Sequence, residues 1–174
     1  MKEIVQDGAI VLRNKAKDLP SELFGSPELA QIIADMTRAL GKEPDGVALA
    51  APQIAVPYRI FIVRKDRTLQ PPVSEDTEVP KPKPEIVVYI NPEIIKTSHK
   101  KIEADEGCLS VRGVYGTTMR HERVTVAARD MNGKKFTRGA GGLMAQIFEH
   151  EIDHLNGILF IDHAIHLYHP DKNE

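Results

Sequence analysis

Residues 143–154 read LMAQIFEHEIDH. Leu143, Ile147, His150 and His154 recur at the three- and four-residue spacing that stacks side chains on one face of a helix. The stretch therefore predicts a helix that carries two histidines on an apolar face, with Asn156-Gly157 as its C-terminal stop. A helix of this kind has to be covered by other elements, and the flanking sequence offers mostly strands.

Upstream, ERVTVAARD and KKFTR alternate around Met131-Asn132-Gly133-Lys134, and the Asn-Gly pair predicts a hairpin closed by a type I′ turn. Gly139 to Gly142 break the pattern before the helix. EIVVYINPEI (85–94) predicts a strand closed by Asn91-Pro92, and Arg59 to Val63 another, rich in Ile, Phe and Val. Near the N-terminus, Ser26 as cap, Pro27 at the first position and Leu29, Ile32, Ile33, Met36 and Leu40 on one face predict a second helix ending at Gly41. IVQDGAIVLRNKAKDLP (4–20) reads as an irregular segment packed on the body, and the proline- and charge-rich residues 65–84 as a mobile surface loop. The tail HAIHLYHPDKNE reads as polar and solvated. The expectation is one domain, residues 1–174, of α+β class: antiparallel β-sheets packed around the helix carrying HEIDH, with an N-terminal helix.

Composition narrows the function classes. The chain has 174 residues, 41% hydrophobic and 28% charged, with net charge −2, so no electrostatic case for nucleic acid exists. No apolar run approaches the ~18 residues that a membrane helix requires. A cytoplasmic, unanchored protein is expected. Its single cysteine, Cys108, excludes an internal disulfide and leaves a packed thiol, a reactive thiol or a metal ligand.

His150 and His154, one helical turn apart, can reach a single metal ion, while Glu151 sits to the side where it can take a proton from water acidified by that ion. Such a site needs a third protein ligand. In a metzincin protease a histidine would stand where this chain has Phe160, and for a gluzincin-type ligand further on only Glu174 remains as a glutamate. His163, His166 and His169 lie in the polar tail and read as structural or incidental. Cys108 is a strong ligand type for zinc or ferrous iron, although a lone cysteine is more often a small buried hydrophobe.

GVALAAPQ (46–53), EGCLS (106–110) and HEIDH (150–154) occur in this order, and together they resemble peptide deformylase. That family's motifs are G-x-G-L-A-A-x-Q, E-G-C-L-S and H-E-x-x-H, and the only departure is Ala48 in place of the second glycine. The resemblance extends through IVQDGAIVLRNKA, VTVAARDMNGK and HLNGILFID, nearly the whole chain. It implies that Cys108, His150 and His154 hold one divalent metal ion, often ferrous iron, with zinc, nickel or cobalt able to occupy the site.

The resemblance further implies that Glu151 acts as general base and then general acid. The Gln53 side-chain amide and the Leu109 backbone N–H would stabilise the oxyanion. The implied reaction removes the N-formyl group from the initiator methionine of nascent peptides and releases formate. Val47, Leu143 and Ile147 are candidates for the methionine pocket, and the substrate backbone would pair as an added strand near Gly46, Val47 and Ala48. Glu106 reads either as a partner of a ligating histidine or as a local brace of the EGCLS turn. Arg112 stands where many members have proline and is expected to alter the substrate rim. The family's transient ribosome association uses a long C-terminal helix; this chain stops soon after FIDHA, so contact through such a helix is not expected. The rival readings are an H-E-x-x-H metallopeptidase and an inactive metal-binding relative.

Overall fold

The computed structural model describes residues 2–68 and 83–170. Helix α1, Pro27–Gly41, begins as its sequence dictates: Ser26 Oγ accepts from the Leu29 N–H at 3.1 Å, and Pro27 occupies the first turn. Leu29, Ile33, Met36 and Leu40 are buried, each worth ~1.5–3 kcal/mol, while Ile32 flanks them half-buried. This face packs on Leu49, Ile54, Ile60 and Ile62.

The strands are β1 (Ala48–Ala50), β2 (Ile60–Arg64), β3 (Ile86–Thr97), β4 (Lys101–Cys108), β5 (Val111–His121), β6 (Arg123–Arg129), β7 (Lys135–Gly141) and β8 (His166–Tyr168). They form two antiparallel sheets, ordered β1-β2-β3-β6-β7 and β4-β5-β8. Among the described residues each sheet thus ends in a strand, β1 or β4, with one edge unpaired within its sheet. A short helix, α2 (Lys65–Thr68), follows β2, so the expected loop begins with a helical turn; residues 69–82 of it lie outside the described residues.

Helix α3, Gly142–Leu155, lies between the sheets and is buried on two opposite faces. Ala145, Phe148, Ile152 and Leu155 enter a core with Phe61, Val63, Tyr89, Val124 and Val126. Phe61 stacks on Tyr89 at 4.5 Å, and Phe148 meets the Tyr89 edge at 5.3 Å. His150 and His154 lie on the other side of the helix, whereas Ile147, expected on their face, also joins this core. Asn156 caps the helix and Gly157 follows at φ +76°. A Cβ on Gly157 would stand 2.5 Å from the Arg13 carbonyl oxygen, so only glycine serves both the turn and the close approach.

Several expectations needed correction. β3 does not stop at Asn91-Pro92 but bulges there and continues to Thr97. Asn91 takes φ +49° because its side chain accepts from Leu19 N–H at 2.7 Å and donates to Leu19 O at 3.2 Å, a tertiary contact that no local pattern encodes. The β6–β7 turn is not type I′: only Gly133 has positive φ, and the Asp130 carboxylate accepts from the N–H groups of Asn132 and Lys134. β7 continues through Gly139 and Gly141, its N–H and C=O groups paired with β6. The hairpin of β4 and β5 goes beyond anything the hydrophobic pattern predicts, and the tail is partly ordered as β8 against Tyr115, Gly116 and Thr117.

The N-terminal segment packs as expected. Val5 N–H donates to Gln53 O, Ala16 N–H to Leu155 O and Lys17 N–H to Pro57 O, tying it to three parts of the body.

Candidate metal centre

Cys108 closes β4 opposite Val111, leaving Leu109 and Ser110 to make the turn into β5. The turn aims the sulfur at α3. Cys108 Sγ lies 3.2 Å from His154 Nε2, and the ligand atoms of Cys108, His150 and His154 all fall within 4.8 Å of one another. Donors bound at ~2.0–2.3 Å to one tetrahedral ion sit about 3.3–3.8 Å apart, so small side-chain adjustments suffice. Among the described residues this is the trio of such donors that converges; His163, His166 and His169 do not join it.

His150 is oriented from behind. Its Nδ1 donates to Glu106 Oε2 at 2.7 Å, which fixes the tautomer and turns Nε2 toward the cluster. Glu106 also accepts from Arg120 Nε at 2.5 Å, Arg120 Nη2 at 3.0 Å and Thr118 Oγ1 at 2.6 Å. Arg120 in turn donates to Asp153 at 2.7 Å. Burial would raise the Glu106 carboxyl, but hydrogen bonds and charge from His150 and Arg120 overcome this and hold it well below the usual carboxylate range. Glu106 is thus a fixed anion that braces a histidine, one of its two expected roles. Phe160, in the position that excludes a metzincin, is buried and stacks on the His150 ring at 6.4 Å.

Glu151 is 4% exposed, and burial raises its carboxyl to about 7, an effect the His150 charge offsets only in part. Among the described residues, the buried side-chain atoms without a hydrogen-bond partner are Glu151 Oε2 and His154 Nδ1. Buried polar groups are ordinarily paired, so concentrating the exceptions here marks a site built for something else to complete. Burial also drives the His154 ring toward its neutral form, the one that can ligate.

These groups line one end of a cleft of about 550 Å³. One wall is Gly46, Val47, Ala48 and Gln53; the other is Glu106, Gly107, Cys108 and Leu109; Leu143, Ile147, His150 and Glu151 form the floor. His154 lies behind them, 1% exposed. The two walls are the outer strands β1 and β4 of the two sheets, with the segment before β1 and the turn after β4. Ile147 is buried, whereas Leu143 is 46% exposed at the cleft edge. Ala48 sits in regular strand geometry opposite Val63, so its methyl group imposes no unusual backbone conformation. A Cβ on Gly46 would meet Leu40 Cδ1 at 2.8 Å, Glu43 Cβ at 3.0 Å and Leu109 Cδ1 at 3.2 Å, so these side chains would have to shift to admit one.

Gln53 is 2% exposed, its Oε1 accepting from Ala50 N–H at 2.8 Å and its Nε2 donating to Ser110 Oγ at 3.1 Å and facing Cys108 Sγ at 3.7 Å. The N-terminal segment braces the same region: Gln6 Nε2 donates to Leu109 O at 3.0 Å, and Asp7 N–H to Ser110 O. Gln6, Ser110, Arg120 and Asp153 are supporting residues that the sequence reading does not single out. For Arg120 a signal existed: Gly116, Thr118 and Arg120 alternate on the buried face of β5, and a buried arginine demands a carboxylate.

The family profile of polypeptide deformylase matches residues 1–169. The chain is 37% identical over 164 residues to peptide deformylase 1A, chloroplastic, of Solanum lycopersicum, covering 93% of this chain but 59% of that relative, so it spans about three-fifths of that protein's length. It is 38% identical to the peptide deformylase of Desulforudis audaxviator, covering 95% of both chains. Among solved structures, the Met-Ala-Ser-bound class I type b peptide deformylase of Acinetobacter baumannii superposes with TM-score 0.79 at 31% identity, covering 93% of this chain and 98% of that one. With the match running almost end to end and the three motifs converging on one cleft, the chain belongs to the peptide deformylase family.

Proposed function

We propose that the chain hydrolyses the N-formyl group from the N-terminal formyl-methionine of newly made peptides, releasing formate. The observation that carries this reading is the convergence of Cys108, His150 and His154 beside Glu151, whose buried Oε2 has no partner, at the end of a cleft walled by two outer strands. In this reading residues 1–174 act as one catalytic domain in the cytoplasm. Its partners are formyl-methionyl nascent peptides, encountered transiently at the ribosome.

Cys108, His150 and His154 would hold one divalent cation. The donor set of one thiolate and two imidazoles suits ferrous iron, the native metal proposed, and equally accepts zinc, nickel or cobalt. When bound, such a cation supplies Lewis acidity that polarises the formyl carbonyl and acidifies water at neutral pH.

The remaining work falls to the chain's own side chains. Glu151, with its carboxyl near 7, takes a proton from the attacking water and returns it to the leaving amine, both steps being within reach at neutral pH. As the formyl carbon becomes tetrahedral, charge on its oxygen is met by the Gln53 amide and the Leu109 N–H, which Ser110, Gln6 and the β4–β5 turn hold in place. The peptide backbone lies along the open edge of β1, beside Gly46, Val47 and Ala48, and the methionine side chain enters between Val47, Leu143 and Ile147.

Formate release from formyl-Met-Ala by iron-loaded protein handled without oxygen tests the reading. Absence of formate from metal-replete protein refutes it. The Cys108→Ala variant separates this reading from an H-E-x-x-H peptidase, because full activity without the thiol would favour the peptidase.

A further inference from the structure

The mouth of the cleft is bridged by an ion pair between residues 69 apart in sequence. Arg112 Nη2 lies 2.8 Å from Glu43 Oε1, and Arg112 Nη1 lies 3.2 Å from Glu43 Oε2, a two-point contact. Glu43 belongs to the turn after α1, and Arg112 to the start of β5, three residues after Leu109. Both line the cleft.

The pair is unequally built. Glu43 is anchored: its backbone carbonyl accepts from Arg67 Nη1 at 2.6 Å and from Gly46 N–H at 3.2 Å, and its side chain is only 18% exposed. Arg67 Nη1 also donates to Gly46 O at 2.5 Å, which ties Glu43 to the segment entering β1. Arg112 is 57% exposed. A guanidinium has five N–H groups, and Glu43 uses two of them, so three remain on a planar fork held in a fixed place at the mouth.

We propose that Arg112 is a substrate-specificity residue that binds backbone carbonyl oxygens of the peptide beyond its second residue, and that Glu43 is the residue that positions it. This rests on the deformylase reading, because a peptide anchored at Cys108, His150 and His154 and laid along β1 must leave the cleft past residues 43–46 and 112. In this proposal a formylated dipeptide would end before the rim, and a third residue would bring its carbonyl oxygen to Arg112. An exposed charge-assisted hydrogen bond of this kind is worth about a 3- to 10-fold change in binding.

The test compares formyl-Met-Ala with formyl-Met-Ala-Ser, both as C-terminal amides so that no terminal carboxylate stands in for a backbone carbonyl, as substrates of metal-loaded wild type, Arg112→Ala, Arg112→Lys and Glu43→Gln. Arg112→Ala should raise KM for the tripeptide about 3- to 10-fold, with kcat and all dipeptide constants unchanged. Arg112→Lys should recover part of the loss, and Glu43→Gln should show a smaller defect that disappears in the Arg112→Ala background. In parallel, binding of the product peptides Met-Ala and Met-Ala-Ser is measured by calorimetry. If wild type releases no formate from either substrate, the deformylase reading fails, and Met-Ala-Ser binding by Arg112→Ala still judges the rim contact. If wild type is active and Arg112→Ala changes both substrates alike, or neither, the proposal is overturned while the deformylase reading stands.

Discussion

Replacing Glu106 by glutamine keeps the shape of the side chain and removes its charge. The carboxylate now serves four donors: Arg120 Nε and Thr118 Oγ1 on Oε1, and Arg120 Nη2 and His150 Nδ1 on Oε2. A glutamine has one acceptor oxygen, so whichever way the amide turns, its NH₂ faces two of those donors. Removing one partner of a buried ion pair costs ~3–5 kcal/mol. Arg120 keeps Asp153, and the amide oxygen keeps two of the contacts, so the net loss is about 2–4 kcal/mol. For a domain of this size each kcal/mol moves Tm by about 2–4 °C, giving a fall of about 4–16 °C in the metal-free protein. Metal affinity should fall about 10- to 100-fold, because the brace that orients His150 is lost.

The assays are thermal unfolding of chelator-treated protein and a competitive chelator titration for the metal. Thr118→Val is the control, since it deletes one donor to Glu106 without touching charge and should cost only about 1 kcal/mol with little effect on metal binding. A Tm shift for Glu106→Gln under about 2 °C together with unchanged metal affinity would refute the view that Glu106 is a charged brace.

Gln53→Leu should lower kcat about 100- to 1,000-fold with the metal retained, measured by formate release and metal analysis; near-normal turnover would remove Gln53 from oxyanion binding. Glu151→Gln should abolish most turnover and also change the pH dependence of stability. The Glu151 carboxyl is raised from 4.5 to about 7 on folding, so its protonated form contributes stability that is present below pH 4.5 and lost as pH rises to about 7. Denaturant unfolding of metal-free wild type should therefore lose about 3 kcal/mol relative to Glu151→Gln across that range, and a constant difference would contradict the burial of the charge. Gly157→Ala should destabilise by about 2 kcal/mol or more, since it forces a side chain into positive φ against the Arg13 carbonyl; a change under about 0.5 kcal/mol in urea unfolding would show that the chain relaxes there without cost.

What the sequence made legible was local or carried by chemistry. The α1 cap is local: Ser26, Pro27 and the spacing from Leu29 to Leu40 act within four residues of one another, and the helix formed accordingly. The i, i+4 histidines likewise needed only helix geometry to come together. The pattern failed where distant contacts decide the backbone. Asn91 bulges β3 because Leu19 supplies both hydrogen bonds of its side chain, and β7 runs through glycines because β6 pairs with it. β4 was hidden for a different reason: KIEADEGC buries Glu106, a residue type that argues for solvent until Arg120 is known to face it. Apart from Arg120, which alternates with Gly116 and Thr118 on the buried face of β5, the supporting residues of the site were invisible on the same ground. Their role is defined by partners 14 to 103 residues away, not by their neighbours.

The two faces of α3 explain how a small chain can hold a site this unsatisfied. Ala145, Phe148, Ile152 and Leu155 are built into the aromatic and aliphatic core and supply the burial that fixes the helix. The opposite face can then carry His150, His154 and Glu151, of which Glu151 Oε2 and His154 Nδ1 are buried without a partner among the described residues, a cost that the core face offsets. Because the helix is fixed by its core face, His150 and His154 are placed by packing. Only Cys108 arrives from another element, and its turn is held independently by Gln53, Gln6 and the β4–β5 register. Strand β1 and the rim at Glu43 and Arg112 belong to the cleft and not to the Cys108, His150 and His154 trio; in the proposed function they would handle the peptide while that trio would hold the metal.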